Sequence, residues 1–241
     1  MRRRYLVADY RKDIGRWPVT RGVYVEAEWD PRDPVGEMDF IGKLIEKGFP
    51  TVAVAQAWLD REDCARVLRS HARRGFVRGI RHKPKPGMMH DDKWRAGFRL
   101  LGRHRLHFEL QAPWPLLAEA ARLARDFPGI TIVVNHAGLP ADDQLPGWRH
   151  AMAGMAACPN VVVKISGLGR VTRKREVVST TIELFGASRC MFASNYPVDS
   201  LCDKFDDIYS DFDDFTGAMT PAERRALFHD NAIRIYRMER L

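Results

Sequence analysis

Three apolar runs in the second half of the 241-residue chain each end in polar side chains that can do chemistry. Ile130 to Val134 runs into Asn135-His136-Ala137-Gly138, Val161 to Val163 into Lys164-Ile165-Ser166-Gly167, and Cys190 to Ala193 into Ser194-Asn195-Tyr196-Pro197. An imidazole placed like His136 can donate a hydrogen bond to a carbonyl or relay a proton. Arg81 leaves an earlier apolar run and offers a planar fork suited to a carboxylate, although with His82, Lys83 and Lys85 it also reads as a solvated basic loop. Gln111 and Asn195 are amides that orient substrate or water, or simply end their strands. Lys164 and Ser166 fall on one strand face. Lys164 reads either as a substrate contact or as the partner of a carboxylate such as Glu26 across a barrel interior. Asp199, four residues beyond Asn195, is the nearest carboxylate to that cluster along the chain.

The elements that must position these groups alternate. Strands are expected over Gly22 to Ala27, Thr51 to Ala55, Phe76 to Arg81, His107 to Gln111, Ile130 to Asn135, Val161 to Ser166 and Cys190 to Ser194. Amphipathic helices are expected over Glu37 to Lys47, Arg61 to Arg73, Trp94 to Gly102, Pro115 to Asp126, Trp148 to Ala157 and Lys174 to Phe185. Their spacing, roughly one strand start per 25 to 30 residues, is that of repeated βα units. Near-continuous β-branched runs with chemistry at their exits are the pattern of a parallel sheet whose site lies at the strands' carboxyl ends. Pro221 after Thr220 opens a closing helix, Ala222 to Met238. Before it, Ser200 to Met219 reads as a polar loop whose six aspartates (203, 206, 207, 211, 213 and 214) lack calcium-loop spacing and are solvated.

The chain reads as one domain, residues 1–241, of the (β/α)8 barrel type but short of its first strand. Tyr5 to Val7 is too short and too charged on both sides to supply that strand. The vacancy therefore falls at the amino end, as in an amino-terminally truncated barrel. Such a gap exposes the edges at Gly22 to Ala27 and Cys190 to Ser194. The chain is expected to fill it with residues near Tyr5 to Ala8, to associate with another copy, or to be marginally stable.

Composition narrows the function. Lys plus Arg minus Asp plus Glu is 39 − 31 = +8, and the basic residues are scattered along the chain. That field favours an anionic small molecule, while no nucleic-acid module or aromatic-interleaved basic stripe is present. Four cysteines without a C-x-x-C pair, no h-region after the basic start and no membrane-length apolar stretch predict a reduced, cytoplasmic protein.

Ordered motifs carry a resemblance. Val25-Glu26-Ala27-Glu28-Trp29-Asp30-Pro31, Arg78-Gly79-Ile80-Arg81, Phe108-Glu109-Leu110-Gln111, Asn135-His136-Ala137-Gly138, Lys164-Ile165-Ser166-Gly167-Leu168, the stretch Met191 to Asp199 and Asn231 to Tyr236 occur in the order found in the amidohydrolase-related group. The chain resembles the branch that includes 2-pyrone-4,6-dicarboxylate lactonases, fuconolactonases and aromatic-acid decarboxylases. That resemblance implies a His-x-His pair on the first strand, a histidine on the fifth or sixth and an aspartate ending the eighth, binding a metal or, in metal-independent members, activating water. Here no His-x-His occurs near the amino end, Gln111 and Asn195 stand at the fifth- and eighth-strand positions, and of the histidines only His136 remains. One histidine does not hold a catalytic metal, so no cofactor is expected.

Three functions follow from these residues. The first is a metal-free hydrolase opening a lactone of an anionic acid, with Arg81 on a carboxylate, His136 at the carbonyl or as proton relay, Gln111 and Asn195 orienting, and Asp199 replacing the missing base. The second is an aromatic-acid decarboxylase, for which a metal would be expected. The third is a catalytically impaired barrel that binds a ligand or partner.

Overall fold

The computed structural model describes residues 4–238. Seven parallel strands form one curled sheet in chain order: β1 (Val23–Val25), β2 (Val52–Gln56), β3 (Val77–His82), β4 (His107–Leu110), β5 (Ile132–Val134), β6 (Val161–Ile165) and β7 (Cys190–Phe192). Parallel neighbours need a crossover, and helices supply it on the outer face. These are α2 (Gly36–Ile45), α3 (Cys64–Arg73), α4 (Asp92–Arg103), α5 (Leu117–Asp126), α6 (Leu145–Ala156) and α7 (Lys174–Phe185). Each expected strand and crossover helix is present, with bounds shifted by a few residues. The sheet is a half-barrel, open between β1 and β7.

Side-chain alternation sorts the strands into two cores. Ala53, Ala55, Ile80, Phe108, Leu110, Ile132, Val134, Val163 and Ile165 point outward into the helix layer. Val52, Val54, Val133, Val162 and Met191 point inward, where Tyr236 and Met238 join them. The closing segment is not one helix. It runs as α9 (Pro221–Arg225), a π-helical turn (Ala226–Asp230) and α10 (Asn231–Ile235), after which Tyr236 and Met238 close the barrel floor. Arg78 Nε donates to the Tyr236 carbonyl at 2.9 Å and Arg237 Nη1 to that of Arg105 at 2.6 Å, pinning the plug beneath β3 and β4.

The opening residues form a helix, α1 (Val7–Asp13), in keeping with the expectation that Tyr5 to Val7 does not supply the first strand, whereas one carboxyl-terminal expectation needs correction. Tyr10 stacks on Phe49 at 5.4 Å, meets Phe205 edge-on at 5.9 Å and is hydrogen-bonded to Ser194, so one side chain reaches from the β1 side of the opening to the β7 side. The supposed polar loop contains α8 (Phe205–Phe215). Phe205, Ile208 and Phe212 at helical spacing bury one face, while most of the aspartates find cations. Asp206 pairs with Arg16 at 2.7 Å, Asp213 with Arg224, Asp214 with Arg175, and Asp203 and Asp211 with Lys174 at 2.9 and 3.1 Å. Among the described residues no helix is long and apolar enough to cross a membrane.

Candidate active site

His136 follows β5 in a left-handed turn, with φ +54° at His136, +47° at Ala137, +73° at Gly138 and +55° at Leu139. Each non-glycine residue there costs about 1–2 kcal/mol. Strain of this kind persists where the surroundings over-determine it, commonly at functional sites. Here Leu139 N–H closes on the His136 carbonyl at 2.8 Å and Trp148 Nε1 donates to the Ala137 carbonyl at 2.7 Å. The turn aims the imbedded imidazole at β6, where His136 Nδ1 and Ser166 Oγ lie 2.9 Å apart. Burial first, then the positive charges of Lys164 and Arg81, push the His136 imidazole down to about 3. It is neutral at physiological pH. A proton relay through it is therefore disfavoured, and hydrogen-bond donation to a carbonyl oxygen is the role its chemistry suits.

Gly167 is where the two halves of the site meet. Its φ is +67°, and a Cβ there would lie 2.7 Å from His136 Nδ1. Its backbone N–H is also bonded to Asp199. His136 and Asp199 thus both rest against one glycine backbone. Asp199 is buried by a loop in which Asn195, at φ +53°, donates from Nδ2 to Asp199 Oδ1 at 2.7 Å. Burial raises the Asp199 carboxyl, the Asn195 bond opposes this, and Asp203 adds to the rise. A carboxylate raised in this way is a better base near neutral pH. The Lys174 ammonium, bridging Asp203 and Asp211, ties this loop and α8 to the start of α7.

A buried charge network lies one layer deeper. The inward side chains of β6 climb from Val162 through Lys164 to Ser166. Lys164 Nζ sits 2.9 Å from Glu109 Oε2, and Glu109 is fully buried. Around the same carboxylate, Tyr236 Oη donates to Oε1 at 2.6 Å, His107 Nε2 lies 3.2 Å from Oε1, and Asn135 Nδ2 donates to Oε2. Burial alone would raise Glu109, but Lys164 and these hydrogen bonds hold it well below the usual carboxylate range. The expected pairing of Lys164 with Glu26 is thereby corrected, because the inward register of β4 places Glu109 directly across the barrel. Glu26, at the end of the edge strand β1, instead pairs with Arg81 at 2.5 Å, and Arg81 also donates to the Glu26 carbonyl. Lys83 and Glu28 form a second pair between the same two strand exits. These bonds pass over the end of β2 and anchor the exposed edge.

The structure therefore joins His136 to Ser166, Asn195 to Asp199 and Arg81 to Glu26, all at the carboxyl ends of their strands. Gln111 follows β4, half-buried, and no hydrogen bond among the described residues joins it to the rest. Sequence reasoning missed Glu109, His107, Asn135, Gly167 and Tyr236 as members of this assembly. The signal for two of them was legible: in His107-Phe108-Glu109-Leu110, polar residues alternate with apolar ones inside a strand, which puts both polar groups on the inner face.

A divalent metal does not fit the donors present. Among the described residues no group of three or more His, Cys, Asp or Glu side chains comes together as a metal site. Glu109 is already held by an ammonium, a phenol and an amide, and amides stand at Gln111 and Asn195.

Comparison with known proteins bears on the fold and the family. The chain is 35% identical over 255 residues to the uncharacterized protein y4mH of Sinorhizobium fredii, covering 97% of this chain and 86% of the relative. It is 30% identical over 213 residues to an L-fucono-1,5-lactonase of Burkholderia ambifaria, covering 78% of this chain and 72% of that enzyme. An amidohydrolase of Burkholderia multivorans solved with bound zinc superposes with a TM-score of 0.88 at 25% identity, over 98% of this chain and 89% of that one. A family model described as amidohydrolase matches residues 43–238. The chain therefore belongs to the amidohydrolase family and is an enzyme of that family's hydrolase type.

Proposed function

We propose that this protein hydrolyses a small anionic lactone without a tightly held metal. The observation that carries the reading is the convergence of a neutral imidazole and a raised carboxylate on Gly167. His136 donates a hydrogen bond to the lactone carbonyl oxygen, Asp199 takes a proton from the attacking water, and Asn195 holds the carboxylate in line. Water adds to the carbonyl carbon, the ring C–O bond breaks, and the leaving alkoxide takes up the proton. Arg81 remains able to bind a substrate carboxylate through the part of its guanidinium not engaged by Glu26. The +8 net charge and the cations around His136 favour that anion. Similarity to an L-fucono-1,5-lactonase supports the lactone class.

The test is hydrolysis of a panel of sugar-acid and carboxylated lactones by the purified chain, repeated after chelation. Activity is expected to survive EDTA. Asp199→Asn is expected to lower kcat about 10²–10⁴-fold, the usual contribution of a positioned general base. Asp199→Asn at wild-type rate, or activity restored only by added zinc, would defeat the proposal.

A further inference from the structure

Two arginines stand in backbone conformations that favour glycine, and both line one cavity. Among the described residues, seven that are not glycine have positive φ. Five of them, Glu28, His136, Ala137, Leu139 and Asn195, lie on loops leaving the carboxyl ends of the strands, where the candidate site is. The other two, Arg105 at φ +55° and Arg237 at φ +51°, lie at the opposite end of the sheet. Each follows a helix, α4 and α10 respectively. Leu106 N–H closes the first turn on the Leu101 carbonyl at 3.0 Å, and Met238 N–H closes the second on the Ile233 carbonyl at 2.8 Å. Glycine is the usual residue in such a helix-ending turn. A backbone cost accepted twice around one cavity marks that cavity as a candidate site. It has a volume of about 290 Å³, it is lined by Arg74, Arg78 and His104 as well as the two arginines, and no carboxylate is in its lining.

The cations there are held in place without being neutralised. Arg78 donates from Nε to the Tyr236 carbonyl at 2.9 Å and from Nη1 to that of Gly75. Arg237 donates from Nη1 to the Arg105 carbonyl at 2.6 Å and from Nη2 to that of Arg78 at 3.4 Å. Arg74 pairs with Asp39, whereas the Arg105 guanidinium has no hydrogen-bond or ion-pair partner among the described residues. Basic residues near helix carboxyl ends are ordinary, since each end carries about half a negative charge. The ends of α3, α4 and α10 supply about one and a half such charges and Asp39 one more, against four arginines. Roughly one and a half positive charges remain. That excess suits a dianion better than a single carboxylate. We infer that this cavity binds a phosphoryl group, with Arg105 as a bidentate clamp and Arg78 and Arg237 as fixed positive charges behind it. The site stands apart from the lactonase reading and from His136 and Asp199.

The experiment titrates the purified chain with inorganic phosphate and with glycerol 3-phosphate by calorimetry, at constant ionic strength in chloride. Wild-type protein is expected to show one saturable site for at least one of the two. Arg105→Gly removes the clamp and places glycine where the backbone favours it, so its melting temperature should stay level or rise. Its affinity for the phosphoryl ligand is expected to fall at least tenfold. Arg81→Lys, altered at the other end of the barrel, should bind as wild type does. Tighter binding of inorganic phosphate assigns the free ion, tighter binding of the monoester assigns a phosphorylated metabolite, and either order upholds the site. No saturable binding of either compound by wild-type protein would overturn it. So would unchanged affinity in a folded Arg105→Gly, or affinity lost in Arg81→Lys and kept in Arg105→Gly, which would put the anion among the candidate active-site residues.

Discussion

Acidification should destabilise this protein well above the range in which carboxylates titrate, because imidazoles are buried in neutral form, His136 and His71 with the largest displacements and His82 lowered by burial as well. His136 is pushed down to about 3 by burial and by the Lys164 and Arg81 charges. His71, on α3 with Nε2 3.0 Å from the Gln56 carbonyl, is pushed down to about 4, mainly by burial. In the unfolded chain both return to the ordinary value of 6.5. Below that pH the unfolded state binds protons that the folded state refuses, so stability falls as pH drops from 6.5 towards the folded values. Each group contributes a loss of roughly 2 kcal/mol at pH 5 relative to pH 7.5, about 4 kcal/mol for the two together. Glu109 acts in a different window. Its folded carboxyl is lowered, so its stabilising contribution is present above the unfolded value near 4.5 and is lost only as pH falls below it. Urea unfolding at pH 7.5, 6.5, 5.5 and 5.0 measures the slope directly. His136→Gln is expected to remove about 2 kcal/mol of the loss between pH 7.5 and 5 whatever its effect on stability at pH 7.5. A stability that stays flat to within about 0.5 kcal/mol over that interval would refute the assignment of both histidines as buried neutral groups.

Other perturbations probe the remaining contacts. Lys164→Met leaves the fully buried Glu109 without its counter-charge and should cost about 3–5 kcal/mol in denaturant unfolding. The double variant with Glu109→Gln should recover much of this, and a single variant within about 1 kcal/mol of wild type would contradict the pairing. Gly167→Ala places a methyl against the His136 ring at a positive φ, so melting should show a loss of about 1–3 kcal/mol and kcat/KM should fall by about tenfold. Unchanged kinetics would mean that His136 need not hold its present position. Arg81→Lys forfeits the planar fork and should raise KM by about tenfold or more for a carboxylated lactone while sparing an uncharged one. An equal effect on both would assign Arg81 to structure alone.

Local and periodic features are legible along the chain itself. The β-branched runs at Val52, Ile132 and Val161, broken by amphipathic stretches, specified parallel strands and outer helices, since alternation and helical spacing are properties of consecutive residues. The polar exits of those runs gave His136, Ser166, Asn195 and Asp199 one common end. The aspartate-rich stretch reads as a loop in sequence because charge density hides the Phe205, Ile208 and Phe212 stripe, whose meaning depends on the core it packs against. Pairing across the barrel was also beyond sequence. Whether Lys164 reaches Glu26 or Glu109 depends on sheet curl and register, which bring residues 55 positions apart to 2.9 Å. The same holds for Tyr236, which meets Glu109 across 127 positions only because the closing segment folds under the barrel floor. The neutrality of His136 arises from burial and from cations contributed by two other strands, so it belongs to the tertiary structure and to no stretch of the chain.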